Sequence, residues 1–395
     1  MPFKEKILLA VLAAIQFAHI LDFMIMMPLG PQLMRIFDIY PKDFALLVSS
    51  YTFAAGLSGF VSIFYVDKFD RKAVLSVAFA GFLICTFFCG LASSFQVLLF
   101  ARVCTGIFGG ILSGLLLSIL GDAIPFERRG LAMGITMMGF SVASVVGVPL
   151  GLYVANMYDW HAPFLFLSGF SILILIAIFI FIPSFKSHLQ ANEHLLPWDN
   201  IQKILKDTNS VIALCLMLFL VLGQFTIIPF ISPYMVSNVG FTEHDLTFIY
   251  FIGGIASIIA SPLLGKLADV YGKGKIFTIF CLLTLIPIYL ITNMPKVEIY
   301  MALTVTTIFF IFMSGRMGPA MAMITSSVNP QYRGSFMAMN ATVQQLSSAL
   351  AAYISGIIVS KNDVGQIINY QYVGFIAVFF SILAILFAIK LKPVQ

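Results

Sequence analysis

The chain has 395 residues, of which 60% are hydrophobic and 10% charged, and its mean hydropathy is +1.02. A soluble globular domain carries about 25% charged residues, so the composition excludes that class and indicates a polytopic membrane protein. The formal net charge of +5 comes from lysines and arginines that flank apolar stretches, and it calls for no nucleic-acid partner.

Apolar stretches of roughly 20 residues, each long enough to cross a hydrocarbon core, recur along the whole chain. We predict twelve spans, at residues 7–29, 44–66, 73–92, 96–120, 131–154, 163–183, 210–233, 245–266, 276–294, 299–327, 335–359 and 372–390. Most lysines and arginines fall in segments that are cytoplasmic if the N-terminus is inside. We therefore expect a multi-pass protein of the bacterial inner membrane, with both termini in the cytoplasm and no cleaved signal peptide.

Three charged residues lie deep inside predicted spans: Asp22 in the first, Arg102 in the fourth and Arg316 in the tenth. An ionised side chain is costly at bilayer depth, so such residues usually face a bundle interior or a wet pathway. These three are therefore the first candidates for function.

Asp22 is the candidate for proton coupling, and Arg102 lies at a comparable depth in its own span. Burial favours a neutral carboxyl group whereas a nearby arginine favours the ionised form, so a change in their separation could bind and release a proton. The alternative is a static ion pair that holds helices together. His19 lies one helical turn before Asp22 and could relay protons, or serve as a neutral hydrogen-bonding partner.

Arg316 lies in the tenth span, and no acidic residue lies deep within any predicted span of the second half of the chain. A buried unpaired guanidinium is costly, so we expect it to contact substrate or to bond with local backbone carbonyls. Other polar residues inside spans are candidates for substrate contact, although hydrogen bonds between helices explain them equally well. They are Gln16, Tyr51, Gln224, Asn340 and Gln344.

The sequence repeats itself, which indicates two halves of six spans each. The matching segments are 67–72 with 265–275, 129–130 with 333–334, and 22–31 with 224–233. The predicted domains are an N-terminal bundle at 1–183, a cytoplasmic linker at 184–209 and a C-terminal bundle at 210–395. The linker is either a plain connection or contains a short helix on the inner leaflet surface. Paired six-span halves are typical of a secondary transporter.

Three motifs resemble the Major Facilitator Superfamily over the whole chain. They are the loop Gly265–Lys275, the fourth-span pattern from Arg102 to Gly110, and Gly147-Val-Pro149-Leu-Gly151 in the fifth span. The residues of these motifs are similar to those of the twelve-span drug:proton antiporters, particularly the sugar-efflux-like branch. The resemblance implies an all-α membrane protein with two pseudo-symmetric six-helix bundles, in which the first, fourth and tenth spans line a central cavity.

The resemblance also implies conformational roles for charged residues of the inner loops and for small or rigid residues of the fifth span. Charges that pair across the cytoplasmic side would bias the protein toward one state, and loop carboxylates are favoured at helix N-termini. The candidates are Asp67, Arg71, Lys72, Arg129, Asp269 and Arg333, together with Gly147, Pro149 and Gly151.

These features predict a proton-coupled antiporter that exports small amphipathic or polar organic molecules by alternating access. The alternative is a proton-coupled symporter or facilitator that imports a small organic solute, with anionic solutes included. A non-transporting receptor is a third hypothesis. Gly272-Lys-Gly-Lys275 lacks the spacing of a phosphate-binding loop, so no ATP-driven pump is predicted. We expect no enzyme activity, metal or cofactor, and a monomer that interacts with substrate, protons and lipid.

Overall fold

The structure, a computed structural model, describes residues 3–125, 128–185, 197–329, 331 and 333–392, without the side chains of residues 67, 129, 130 and 197. The described chain is almost entirely helical. Its helices are α1 Phe3–Ile25, α2 Gly30–Ile36, α3 Pro41–Ser62, α4 Arg71–Cys89, α5 Phe95–Ala123, α6 Arg129–Val142, α7 Val148–Met157, α8 Ala162–Phe181, α9 Pro197–Lys206, α10 Thr208–Phe225, α11 Ile228–Tyr234, α12 Leu246–Tyr271, α13 Lys273–Thr292, α14 Ile299–Ser326, α15 Arg333–Ile358 and α16 Tyr370–Lys390. The strands β1 Ser360–Lys361 and β2 Ile367–Ile368 form a short antiparallel pair.

Eleven helical segments of the described chain are long and apolar enough to cross a membrane. Two of them, Leu131–Met157 and Thr208–Val239, each contain one π-helical turn. The eleventh predicted span forms α15, a helix of 26 residues whose polar side chains, Gln344 and Gln345 among them, keep it outside this set. The all-α prediction is confirmed.

Polar side chains cap several helix starts, where backbone N–H groups have no partner within the helix. The Asp70 carboxylate accepts a bond from the backbone N–H of Lys72 at the start of α4. The Ser94 hydroxyl accepts one from Val97 at the start of α5. These caps explain why α4 and α5 begin several residues after the preceding span ends.

The first of two compact units comprises Met1–Met26 and Ser50–Pro197. Within it α4 packs on α5 and α8, and α1 packs on α6 and α8. Helix α5 approaches α3 so closely that a Cβ on Gly110 would collide with the Ala55 carbonyl oxygen and the Ser58 hydroxyl. Small residues permit such backbone contact between helices in a membrane.

The second unit comprises Met27–Ser49 and Trp198–Gln395, so it includes α2 and the beginning of α3. In this unit α10 packs on α15 and α16, and α14 packs on α12 and α13. The ring of Phe44 meets Phe230 edge-on at 5.9 Å between centroids. Gly356 on α15 lies directly against Ala45, where a Cβ would collide with the alanine methyl group.

The predicted linker is described only in part, because residues 186–196 lie outside the described ranges. Its described portion contains the helix α9, with Ile201 and Ile204 buried and Trp198 and Leu205 more than half exposed. That this helix lies on the inner leaflet stays a prediction.

We expect Gly110→Ala to lower the free energy of unfolding by about 1–3 kcal/mol, because the added methyl group pushes α3 and α5 apart. Gly114→Ala on the same helix is the matched control, since no heavy atom lies within 4 Å of its Cβ position. Thermal unfolding of the detergent-purified variants measures the difference. Equal midpoints would contradict the close contact between α3 and α5.

Candidate functional site

Five polar side chains from four helices meet in the interior of the first unit. Asp22 and His19 come from α1, Tyr51 from α3, Thr86 from α4 and Arg102 from α5. His19 is 3% exposed and the other four are 0% exposed. The structure thus brings together the predicted proton-coupling residues and adds Thr86.

An ion pair between Asp22 and Arg102 is the centre of this cluster. Arg102 Nη1 donates to Asp22 Oδ2 at 2.7 Å and to the Asp22 backbone carbonyl at 3.3 Å. The Thr86 hydroxyl donates to the other carboxylate oxygen, Oδ1, at 3.2 Å. Because both charges are buried, removing one partner would leave the other uncompensated, at a cost of about 3–5 kcal/mol.

Aromatic rings surround the pair. The guanidinium carbon of Arg102 lies 4.3 Å from the centroid of the Tyr51 ring, which is the geometry of a cation–π contact. The ring of Phe23 stacks on the Tyr51 ring, with 5.5 Å between the centroids. His19 lies between Tyr51 and Phe82, with centroids 6.3 and 6.2 Å away.

Several polar atoms of the cluster have no hydrogen-bond partner within the described chain. They are both ring nitrogens of His19, the Tyr51 hydroxyl, and Nε and Nη2 of Arg102. Buried polar groups are normally satisfied, and exceptions concentrate at functional sites. Five such atoms in one neighbourhood make it the strongest candidate for a functional site in the first unit.

Arg316 occupies a different environment, in the interior of the second unit. It is 0% exposed, and its polar contacts include Ser381 on α16, Met313 on its own helix and Cys281 on α13. The contact from Nη1 to the serine hydroxyl is 3.4 Å, and Nε has no partner within the described chain. No acidic residue lies deep within a span of this half, and among the described residues no carboxylate forms an ion pair with the guanidinium.

The other predicted substrate residues are distributed over both units. Gln16 on α1, Gln224 on α10 and Gln344 on α15 are partly exposed within their units. Asn340 on α15 is 1% exposed, and its Oδ1 has no partner among the described residues.

Charged residues of the inner loops form contacts within the first unit. Arg71 forms an ion pair with Asp122 at the end of α5, and Lys72 Nζ donates to the Phe179 carbonyl at 2.9 Å. In the second unit, Asp269 and Arg333 are exposed. The side chains of Asp67 and Arg129 lie outside the described residues.

The fifth-span motif packs against the helix that carries Asp22. Gly147 closes the π-helical turn Ala143–Gly147, and Pro149 follows in the first turn of α7. A Cβ on Gly147 would lie 3.0 Å from Leu21, and one on Gly151 would lie 2.7 Å from Ile25. These residues therefore limit how α1 can move.

Sequence reasoning missed Thr86 and Asp122. Thr86 carries no charge and is one of many hydroxyl residues in spans, so only the register of α4 against α1 reveals its role. Asp122 had a visible signal, since it is an acidic residue at the inner end of the fourth span.

Comparisons with known proteins agree with the fold. A sequence model described as Major Facilitator Superfamily matches residues 12–229 and again 213–395. A probable sugar efflux transporter of Helicobacter acinonychis (strain Sheeba) is 23% identical over 265 residues, which is 67% of this chain and 66%, just under two thirds, of that protein. The MFS-type transporter YceJ of Bacillus subtilis (strain 168) is 23% identical over 360 residues, 90% of each chain.

Among solved structures, the crystal structure of a D-xylose-proton symporter superimposes with a TM-score of 0.77. The two sequences are 16% identical, and the superposition covers 98% of each chain. At this identity the likeness establishes the fold alone.

We expect Thr86→Val to lower the free energy of unfolding by about 1–2 kcal/mol, because it removes a donor from a buried carboxylate. Thr136→Val is the control: Thr136 is equally buried, but its hydroxyl donates to Ala132 within its own helix. Thermal unfolding of both variants tests this. A Thr86→Val protein as stable as the Thr136→Val protein would exclude a contribution from the hydroxyl.

Proposed function

Because this chain belongs to the Major Facilitator Superfamily, a family of membrane transporters and not of enzymes, we propose that it is a proton-coupled antiporter of the bacterial inner membrane. In this proposal it exports small polar or amphipathic organic molecules by alternating access. The observation that carries the proposal is the buried Asp22–Arg102 pair, because it contains the sole acidic side chain deep in any span. The name of the Helicobacter acinonychis relative supports sugar-like molecules as the first candidates.

Asp22 carries the proton in this mechanism. In its ionised form it accepts hydrogen bonds from Arg102 and Thr86, as in the present structure. Protonation removes the negative charge and with it the Coulomb attraction to Arg102, which is strong away from water. The pair can then separate, and α1 is free to move relative to α5. His19, one turn away and without a hydrogen-bond partner among the described residues, is suited to pass the proton on.

In this proposal, polar residues of the spans in both halves contact the substrate. Gln16, Gln224 and Gln344 are partly exposed and offer both donors and acceptors to a polar solute. Tyr51, Asn340 and Arg316 are buried and would reach a solute only after a rearrangement. The inner-loop charges and the fifth-span motif set the conformational bias.

A second candidate is import of an anionic solute by symport or facilitated diffusion. The guanidinium of Arg316, which has no acidic neighbour in the spans of its half, favours this alternative because a carboxylate or phosphate would supply the missing charge. The direction of proton-driven flux in proteoliposomes separates the two candidates.

We expect Asp22→Asn to lose proton-driven accumulation by at least about tenfold while retaining substrate exchange in the absence of a gradient. The reason is that an amide cannot bind and release a proton yet preserves much of the hydrogen bonding. Uptake of a radiolabelled sugar into everted vesicles or proteoliposomes, with and without a pH gradient, measures this.

Asp363→Asn is the matched control for that measurement, because Asp363 is an exposed acid outside the spans. If wild-type transport ran equally with and without the gradient, and Asp22→Asn kept full activity, proton coupling would be excluded.

We expect Arg316→Met to reduce transport at least about fivefold while leaving the thermal unfolding midpoint unchanged or higher, since a buried unpaired charge is replaced by an apolar chain. Lys361→Met, at an exposed cation of the same unit, controls for the loss of charge. A variant with full transport and a lower midpoint would instead assign Arg316 to helix packing.

A further inference from the structure

Tyr51 contacts the ion pair without forming a hydrogen bond to it. Its hydroxyl is buried and has no partner within the described chain, and it points at the Cα of Gly109, where a Cβ would lie 2.8 Å away. Its ring, in contrast, lies 4.3 Å from the guanidinium carbon of Arg102. The part of Tyr51 that is engaged is the aromatic face.

Three observations show that the Tyr51 ring is closely packed. The Tyr51 backbone carbonyl lies so close to Gly106 on α5 that a Cβ there would collide with it. Phe23 stacks on the ring at an interplanar angle of 22°. Tyr51 is 0% exposed, so no water-sized space adjoins it. The ring therefore cannot move away from Arg102 unless α3 and α5 separate.

Protonation of Asp22 would leave Arg102 as a buried cation whose Nε and Nη2 have no acceptor within the described chain. An uncompensated buried charge tends to leave the site or to draw water in. An aromatic face attracts a cation through its quadrupole, and this attraction does not depend on the protonation of Asp22.

We propose that Tyr51 is a positioning residue for proton coupling: its ring, and not its hydroxyl, holds Arg102 in place while Asp22 is protonated. The role of Tyr51 rests on the proton coupling proposed for Asp22. With the guanidinium held at its place on α5, its charge is available to expel the proton when Asp22 returns to it in the next half-cycle. The cation–π contact thus keeps Arg102 in position for the release of the proton from Asp22.

The other titratable groups around Asp22 are shared by all variants in the test. His19 lies on its own helix, and Cys85 and Cys89 face it from α4. Arg102 on α5 and Tyr51 on α3 complete the set. Changing Tyr51 alone therefore isolates the contribution of the ring.

The experiment is an infrared titration of the purified protein in nanodiscs, in which the protonated-carboxyl band of Asp22 is identified by its absence in Asp22→Asn. We expect Tyr51→Phe to titrate at the wild-type midpoint. We expect Tyr51→Leu to titrate at a midpoint about 0.5–1.5 pH units higher, because a loosened Arg102 stabilises the ionised carboxylate less. Proton-driven transport should fall about 3- to 30-fold in Tyr51→Leu.

Tyr51→Met is the second ring-less variant if the leucine protein does not fold, because its flexible side chain fills irregular space. Phe164→Leu is the matched control, since it removes a fully buried ring of the same unit whose ring contact is with Trp160.

The possible outcomes separate the hypotheses. A Tyr51→Phe protein that titrates like Tyr51→Leu would overturn the ring assignment and favour a role for the hydroxyl. A Tyr51→Leu protein with the wild-type midpoint would also overturn it, leaving proton coupling intact. If wild type shows no titrating Asp22 band, proton coupling itself fails and the role of Tyr51 fails with it.

Discussion

The arrangement of the first unit depends on the electrostatic cost of a carboxylate and a guanidinium in a place without water. Either charge alone is costly at that depth, so the ion pair holds α1 and α5 together as long as Asp22 is ionised. Glycines on α5 let α3 approach closely enough to bring Tyr51 to the same point. The same helix contacts therefore determine both the packing of the first unit and the geometry of the site.

The two units treat buried charge differently. The first matches Arg102 with Asp22, whereas the second buries Arg316 among a thiol, a thioether and a hydroxyl. In the sequence repeat the counterpart of Asp22 is Gln224, which keeps hydrogen-bonding capacity but cannot titrate. The first unit thus holds a buried carboxyl group beside a guanidinium, whereas the second holds a guanidinium without a carboxylate partner among the described residues.

Much of the fold could be predicted from the sequence, because span length and hydropathy are local properties. The three buried charges and the pairing of Asp22 with Arg102 also followed, since an isolated charge at bilayer depth needs a partner. The contacts of Thr86 and of the Tyr51 ring did not follow. They depend on which face of α4 and α3 turns toward α1, and uniformly apolar helices carry no pattern that fixes their rotation. The same limit explains why the packing of residues 27–49 within the second unit could not be anticipated.

The packing of residues 27–49 affects how the chain can fold during its synthesis. Phe44 and Ala45 precede the linker by well over a hundred positions, yet their neighbours Phe230 and Gly356 are encoded after it. A ribosome that has made only the first six spans has not yet supplied the surface these residues need. An N-terminal fragment that ends at the linker would therefore lack the packing partners of Phe44 and Ala45. Co-expression with the C-terminal fragment would be needed to supply them.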